Sequence, residues 1–180
     1  MELSEIIALA KDCGFDNAAP LDVRTLRLLP EVRDMCAADR CHTYNKTWNC
    51  PPGAGSLEEL RERCARYSAG LLVQTVGKRE DEFDFEKITE INKRHEENFQ
   101  RMTKELKKHL PALLPMGLAA CRRCDKCTWP DEPCRFPEEV YPPMEAYGLN
   151  VSQVCRDNSL QYYYGKDGIS FTSCYLFNLD

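Results

Sequence analysis

The chain has 180 residues, a formal net charge of −5 and 43% hydrophobic residues, and we expect one soluble globular domain over residues 1–180. The acidic balance argues against a nucleic-acid partner, and no stretch approaches the roughly 20 apolar residues that a membrane span needs. Because the N-terminal segment has acidic residues before its first cation, it is unlike a secretory signal, and we expect a cytoplasmic protein.

The N-terminal third of the chain predicts short elements. Apolar spacing indicates a helix over residues 3–13, and a strand is expected to begin at Phe15. A short helix is predicted within 21–29. Another short helix is expected to start at Pro30 and to carry Cys36.

The middle of the chain predicts longer elements. An N-cap serine begins a predicted helix over 56–67, and a largely buried strand is expected over 69–77. The longest predicted element is an amphipathic helix over 84–110. A strand over 113–120 then leads into a cysteine-rich segment.

The C-terminal part predicts a short helix over 144–147 and a terminal hairpin that pairs 161–164 with 169–177. Strands mixed with helices indicate an α+β (or α/β) fold, with a mixed sheet flanked by helices. Two cysteine-rich, metal-binding loops, at about 36–55 and 121–137, are expected to be attached to these elements.

Four cysteines, the second group, have a spacing typical of an iron–sulfur ligand set. Cys121, Cys124 and Cys127 form a Cys-x-x-Cys-x-x-Cys run, and Cys134 follows after six residues. Such a run curls the backbone around a compact object, and a more distant cysteine closes the set. Structural zinc sites more often use two separated Cys-x-x-Cys pairs. The spacing predicts one [4Fe–4S] cluster, with zinc as the alternative.

Three further cysteines, the first group, form a looser pattern that predicts a second [4Fe–4S] cluster. Cys36, Cys41 and Cys50 supply only three local thiolates, so the fourth position is open. An open metal position is typical of a substrate site. The candidates for that position are a small molecule or one of Cys13, His42, Cys64, Cys134, Cys155 and Cys174.

Two motifs resemble those of domain-of-unknown-function family 2284, a family of predicted metal-binding proteins. Residues 41–53 are similar to the family's Cys-x-x-Tyr-x-x-x-Trp-x-Cys-Pro-Pro-Gly. The second motif combines Cys124-x-x-Cys127, Pro133-Cys134-Arg-Phe-Pro137 and the segment 144–151. The resemblance covers roughly residues 30–175 and implies a metal of the iron–sulfur type, without implying a particular reaction.

These observations predict an iron–sulfur protein in which one cluster relays electrons and the other relays electrons or acts on a small substrate. Its partner would be a redox protein or a small-molecule substrate. Two alternatives stay open: a zinc-binding structural or interaction module, and a non-redox lyase or desulfidase that uses the three-cysteine cluster.

Overall fold

A four-stranded antiparallel sheet organises the part of the chain that the computed structural model describes, residues 1–81 and 83–179. Its strands are β1 (Asn17–Leu21), β2 (Ala69–Lys78), β3 (Leu113–Met116) and β4 (Gly168–Phe177), in the spatial order β1-β2-β4-β3. The α+β class is confirmed. The sheet is antiparallel throughout rather than mixed, because each of its three strand pairs, β1–β2, β2–β4 and β4–β3, is antiparallel.

Five α-helices surround this sheet within the described residues: α1 (Leu3–Asp12), α2 (Pro30–Ala37), α3 (Leu57–Cys64), α4 (Phe85–His109) and α5 (Val151–Asp157). The Ser56 hydroxyl accepts a hydrogen bond from the Glu59 N–H (3.2 Å), and the Glu59 carboxylate accepts one from the Ser56 N–H (2.7 Å). This capping box starts α3 at the predicted place. No helix in 1–81 or 83–179 combines the length and apolar character that crossing a membrane requires.

Helix α4 keeps the long amphipathic pattern that its sequence predicts. Its N-terminus is capped by Asp84, whose carboxylate accepts a hydrogen bond from the Lys87 N–H at 3.1 Å. The buried stripe repeats at helical spacing and contains Ile91, His95, Asn98, Phe99, Met102, Thr103 and Leu106. This stripe packs on the sheet, so α4 is held along most of its length.

The sheet has a hydrophobic core on each face, because successive strand residues point to opposite sides. On one face α1 and α4 pack against Leu71, Val73, Tyr175 and Phe177. On the other, α3, α5 and a 3₁₀ helix (Met144–Tyr147) pack against Leu72, Met116, Cys174 and Leu176. Among the described residues, the cysteines of both groups lie outside these two cores.

The predicted terminal hairpin is wrong. Residues 161–164 belong to no strand, and β4 pairs instead with β2 along its whole length and with β3 at residues 174–177. Instead, the Tyr164 hydroxyl donates a hydrogen bond to the Gln74 side chain at 2.6 Å.

Other predicted elements are shorter than expected. The helix expected within 21–29 is a 3₁₀ turn over Val23–Thr25, and the strand expected over 113–120 ends at Met116. Helix α5 was not among the predicted elements.

Candidate metal centre

The four cysteines of the second group line one small cavity in the segment that follows β3, which we call the cysteine cavity. Cys121, Cys124, Cys127 and Cys134 are all half-buried. Burial raises the pKa of the Cys121 thiol, and the other three thiols lie near enough for their negative charge to raise it further. Four residues that are spread over 14 positions of sequence are therefore gathered around one space.

Aromatic and cationic side chains surround the cysteine cavity. Trp48 and Phe136 form part of its wall, and the Arg123 guanidinium lies 4.8 Å from the centre of the Phe136 ring. Arg123 also pairs with Glu139 at 3.2 Å. The Phe136 N–H donates a hydrogen bond to the Cys134 sulfur at 3.4 Å. Hydrogen bonds of this kind stabilise a thiolate relative to a thiol.

The first group also comes together, at the end of α2 and in the following loop, 38–56. The Thr43 hydroxyl lies 3.0 Å from the Cys41 sulfur and 3.4 Å from the Cys50 sulfur, so it stands between these two thiols. Burial raises the pKa of the Cys36 thiol, and Glu145, Cys41 and Cys50 are close enough to add to the effect. The three predicted residues are thus neighbours in the fold.

The position of the first group depends on Arg33. Its guanidinium donates hydrogen bonds to the Gly55 carbonyl (3.0 Å) and to the Ala146 carbonyl (2.9 Å). These bonds join α2 to the end of loop 38–56 and to the 3₁₀ helix Met144–Tyr147. Cys36 lies one turn further along α2, so the same contacts hold its backbone beside the loop.

Asn49 joins the two cysteine groups. Its side chain is 2% exposed, accepts a hydrogen bond from the Cys121 N–H at 2.8 Å and donates one to the Ala119 carbonyl at 2.9 Å. The Thr47 hydroxyl also donates to the Asn49 oxygen, at 3.0 Å. One buried amide therefore fixes the start of the second cysteine segment against the loop of the first.

Two tryptophans make a second connection between the loops. Trp48 and Trp129 meet edge to face, with their ring centres 4.8 Å apart. The Trp48 indole N–H donates to the Thr128 hydroxyl (3.2 Å), and the Trp129 indole N–H donates to the Asn45 side chain (2.9 Å). Each ring is thus anchored in the opposite loop, so the two rings join the loops that carry the two cysteine groups.

Several residues considered for the fourth position of the first group are engaged elsewhere. Cys64, Cys155 and Cys174 belong to one hydrophobic core and Cys13 to the other. Burial raises the pKa of Cys64 and of Cys155 to about 11 in each case, and it also raises the pKa of Cys174 well above its usual value. A metal binds the thiolate form, so these protonated core thiols are poor ligands.

In 1–81 and 83–179, no three His, Cys, Asp or Glu side chains are grouped closely enough to hold one metal ion. Thiolates around a single zinc ion lie about 2.3 Å from the metal, so their sulfur atoms nearly touch. The cysteines of the second group share a cavity but do not form such a group.

Comparison with protein families matches residues 19–177 to one family, described as Predicted metal-binding protein (DUF2284). The chain belongs to this family. The match includes both cysteine groups and leaves Cys13 outside, and the resemblance drawn from the two motifs is confirmed. No curated protein and no solved structure matches the chain.

Sequence reasoning identified the cysteines of this DUF2284 protein but missed Asn49 and Thr43. Both occupy unspecified positions of the Cys-x-x-Tyr-x-x-x-Trp-x-Cys motif, so the motif contains no signal for them. Their roles arise from contacts across the two loops, which no spacing rule describes.

Proposed function

We propose that this DUF2284 protein binds [4Fe–4S] clusters and uses them in electron transfer. Cys121, Cys124, Cys127 and Cys134 would hold one cluster. The observation that carries the proposal is that these four thiols, which have the sequence spacing of an iron–sulfur ligand set, line one cavity. In a cubane cluster each iron takes its own thiolate, so the four thiolates surround an object larger than an ion.

The surroundings of the cysteine cavity support this assignment. When bound, a cluster supplies a centre that accepts and donates one electron, at a potential that depends on nearby charge, hydrogen bonds and solvent. Trp48 and Phe136 would limit the access of water, and Arg123 would offset part of the negative charge of four thiolates. The Phe136 N–H, already directed at the Cys134 sulfur, would make that sulfur a weaker electron donor.

We further propose a second cluster at Cys36, Cys41 and Cys50, with its fourth iron position open to a small molecule. The proximity of the three thiols supports the ligand set, and the packing of Cys64, Cys155 and Cys174 in the core supports the open position. The eleven cysteines are all free thiols, which fits the reducing conditions of the cytoplasm. An electron relay between the two centres would require that both loops stay in contact.

Metal analysis of protein purified without oxygen tests the proposal. We expect a brown protein with broad absorbance near 400 nm and about eight irons per chain if both clusters are present, or about four for one. Cys124→Ala should remove about four irons, and Cys36→Ala should remove the other four. Cys155→Ala is the matched control, because this cysteine is packed in the core, and its iron content should be unchanged.

Two results would contradict the proposal. A colourless protein that contains zinc would indicate the structural module instead. Clusters that cannot be reduced and reoxidised in a potentiometric titration would rule out electron transfer and favour non-redox chemistry at the first group. The open position is tested separately, by adding cyanide to the reduced protein and recording its electron paramagnetic resonance spectrum. A spectrum that does not change would exclude an open iron.

A further inference from the structure

A large groove lies beside the second cysteine group. It runs between one face of α4 and residues 117–123, and its volume of about 730 Å³ is within the usual range for small-molecule sites. Cys121 lines both this groove, which we call the α4 groove, and the cysteine cavity. A molecule in the α4 groove would therefore lie next to a proposed cluster ligand.

The floor of the α4 groove contains two aromatic rings and an uncharged imidazole. Phe99 is buried and meets the Tyr141 ring edge to face, with 5.7 Å between ring centres. His95 also lines the groove, and burial lowers its pKa to about 3, so the imidazole is uncharged near neutral pH. Both of its ring nitrogens are already within hydrogen-bond distance of the Thr75 and Ser173 hydroxyls, at 2.9 and 2.8 Å.

The rim of the α4 groove carries more positive than negative charge. Its charged side chains are the cations Lys104, Lys107, Arg122 and Arg123 and the anions Glu96 and Glu139. Arg123 and Glu139 pair with each other. Within the described residues, neither Lys104 nor Arg122 has a side-chain hydrogen bond or ion pair. This cationic rim stands out on a chain whose net charge is −5.

We propose that the α4 groove binds a small organic anion. Its aromatic or apolar body would lie against Phe99 and Tyr141, and its phosphate or carboxylate group would meet Lys104 and Arg122. The proposal goes beyond the proposed function, because the contacts that it names are made by side chains and not by a metal. It also locates a small molecule beside the second cysteine group, whereas the open iron position is expected at the first.

Calorimetric titration of the anaerobically purified full chain tests this binding. The probes are 1-naphthyl phosphate, 1-naphthoate and the neutral 1-naphthol, which share one ring system. We expect one or both anions to bind at least tenfold more tightly than 1-naphthol. Whichever anion binds more tightly identifies the preferred acidic group.

Variants locate the site. The double variant Lys104→Gln/Arg122→Gln should weaken anion binding about tenfold, because each exposed ion pair contributes up to about 1 kcal/mol and 1.4 kcal/mol corresponds to a factor of ten. Its affinity for 1-naphthol should not change. Lys93→Gln is the matched control, since Lys93 is an exposed lysine on α4 that does not line the groove. Leu118→Trp, which places a large ring in the groove, should abolish binding of every probe.

The proposal is overturned if no probe binds at millimolar concentration, if anions and 1-naphthol bind equally, or if Lys93→Gln weakens binding as much as the double variant. Unchanged binding in Leu118→Trp would also overturn it. Iron content is measured on each sample. Absent iron with intact anion binding refutes the clusters alone, and intact iron without anion binding refutes the groove alone.

Discussion

Replacement of Asn49 by alanine should both destabilise the protein and release iron from the second cysteine group. The substitution removes three hydrogen bonds and leaves the Cys121 N–H and the Ala119 carbonyl without their partner. A hydrogen bond contributes about 1 kcal/mol net, and an unpaired buried polar group costs about 1–3 kcal/mol. Because water can reach part of the opened site, we expect a total loss of about 2–4 kcal/mol.

The assay is a thermal unfolding scan combined with iron analysis. In a chain of this size, about 1 kcal/mol shifts the unfolding midpoint by about 2–4 °C, so the Asn49→Ala midpoint should fall by about 5–15 °C. Iron should be lost preferentially from the 121–134 segment, since Asn49 holds its first ligand. A midpoint and an iron content equal to those of the unchanged protein would refute the reasoning.

Asn178→Ala is the control for the Asn49 prediction. The Asn178 side chain also accepts a bond from one backbone N–H, that of Ser68 (2.9 Å), and donates to one backbone carbonyl, that of Arg66 (3.1 Å). It is exposed and remote in sequence from both cysteine groups, so water can replace the lost bonds. We expect a loss of at most about 1 kcal/mol and an unchanged iron content.

Three further outcomes are expected. Burial lowers the pKa of His95 in the folded protein to about 3, below the usual 6.5, so between these pH values only the unfolded chain binds a proton at this residue. The stability that the neutral His95 provides is therefore complete above pH 6.5 and falls by up to about 1.4 kcal/mol per pH unit below it. Urea unfolding between pH 7 and pH 5 should therefore show a shallower decline for His95→Gln, and equal slopes would contradict this. Gly148→Ala should lower the free energy of unfolding by about 2–3 kcal/mol, and Gly165→Ala by only about 1 kcal/mol, in the same assay. Both glycines have positive φ, but of the two only Gly148 has a backbone oxygen 2.8 Å from the position of an added Cβ. Equal losses of stability would argue against this close contact. Trp48→Phe should keep the cluster but release iron to a chelator severalfold faster, because it keeps a ring and loses the indole hydrogen bond; an unchanged release rate would exclude this bond as an anchor.

Local patterns predicted the elements whose environment is uniform along their length. The run 69–77 is apolar because β2 lies in the middle of the sheet with a core on each face, and residues 69–78 form that strand. Helix α4 packs one stripe of residues on the sheet and exposes the rest to solvent, so the helical spacing of its apolar residues predicted nearly the whole helix. Both predictions agree with the structure to within one or two residues.

Pairing between distant strands could not be predicted in the same way. The sequence near 165–168 is typical of a tight turn, which suggested that 161–164 pairs with the next strand. The partners of β4 are instead β2 and β3, which lie far away in sequence. Since turn residues indicate only local backbone conformation, they could not show that the partners of β4 come from distant segments.

In the candidate site, too, the sequence predicted local features but not contacts between distant segments. Cysteine spacing predicted which thiols come together, because ligands close in sequence can wrap one object with little help from the fold. The contacts of Asn49 and the cationic rim at Lys104 and Arg122 combine residues from separate segments. These contacts depend on the positions of α4 and the loops in the fold, so the sequence alone did not predict them.

The edge-to-face contact of Trp48 and Trp129 has a consequence for the way in which the protein matures. Each loop supplies part of the surface on which the other folds, so closing one of them around its metal reduces the number of conformations that the other must search. Metal bound at one cysteine group should then make binding at the other more favourable, while each group can still be emptied alone.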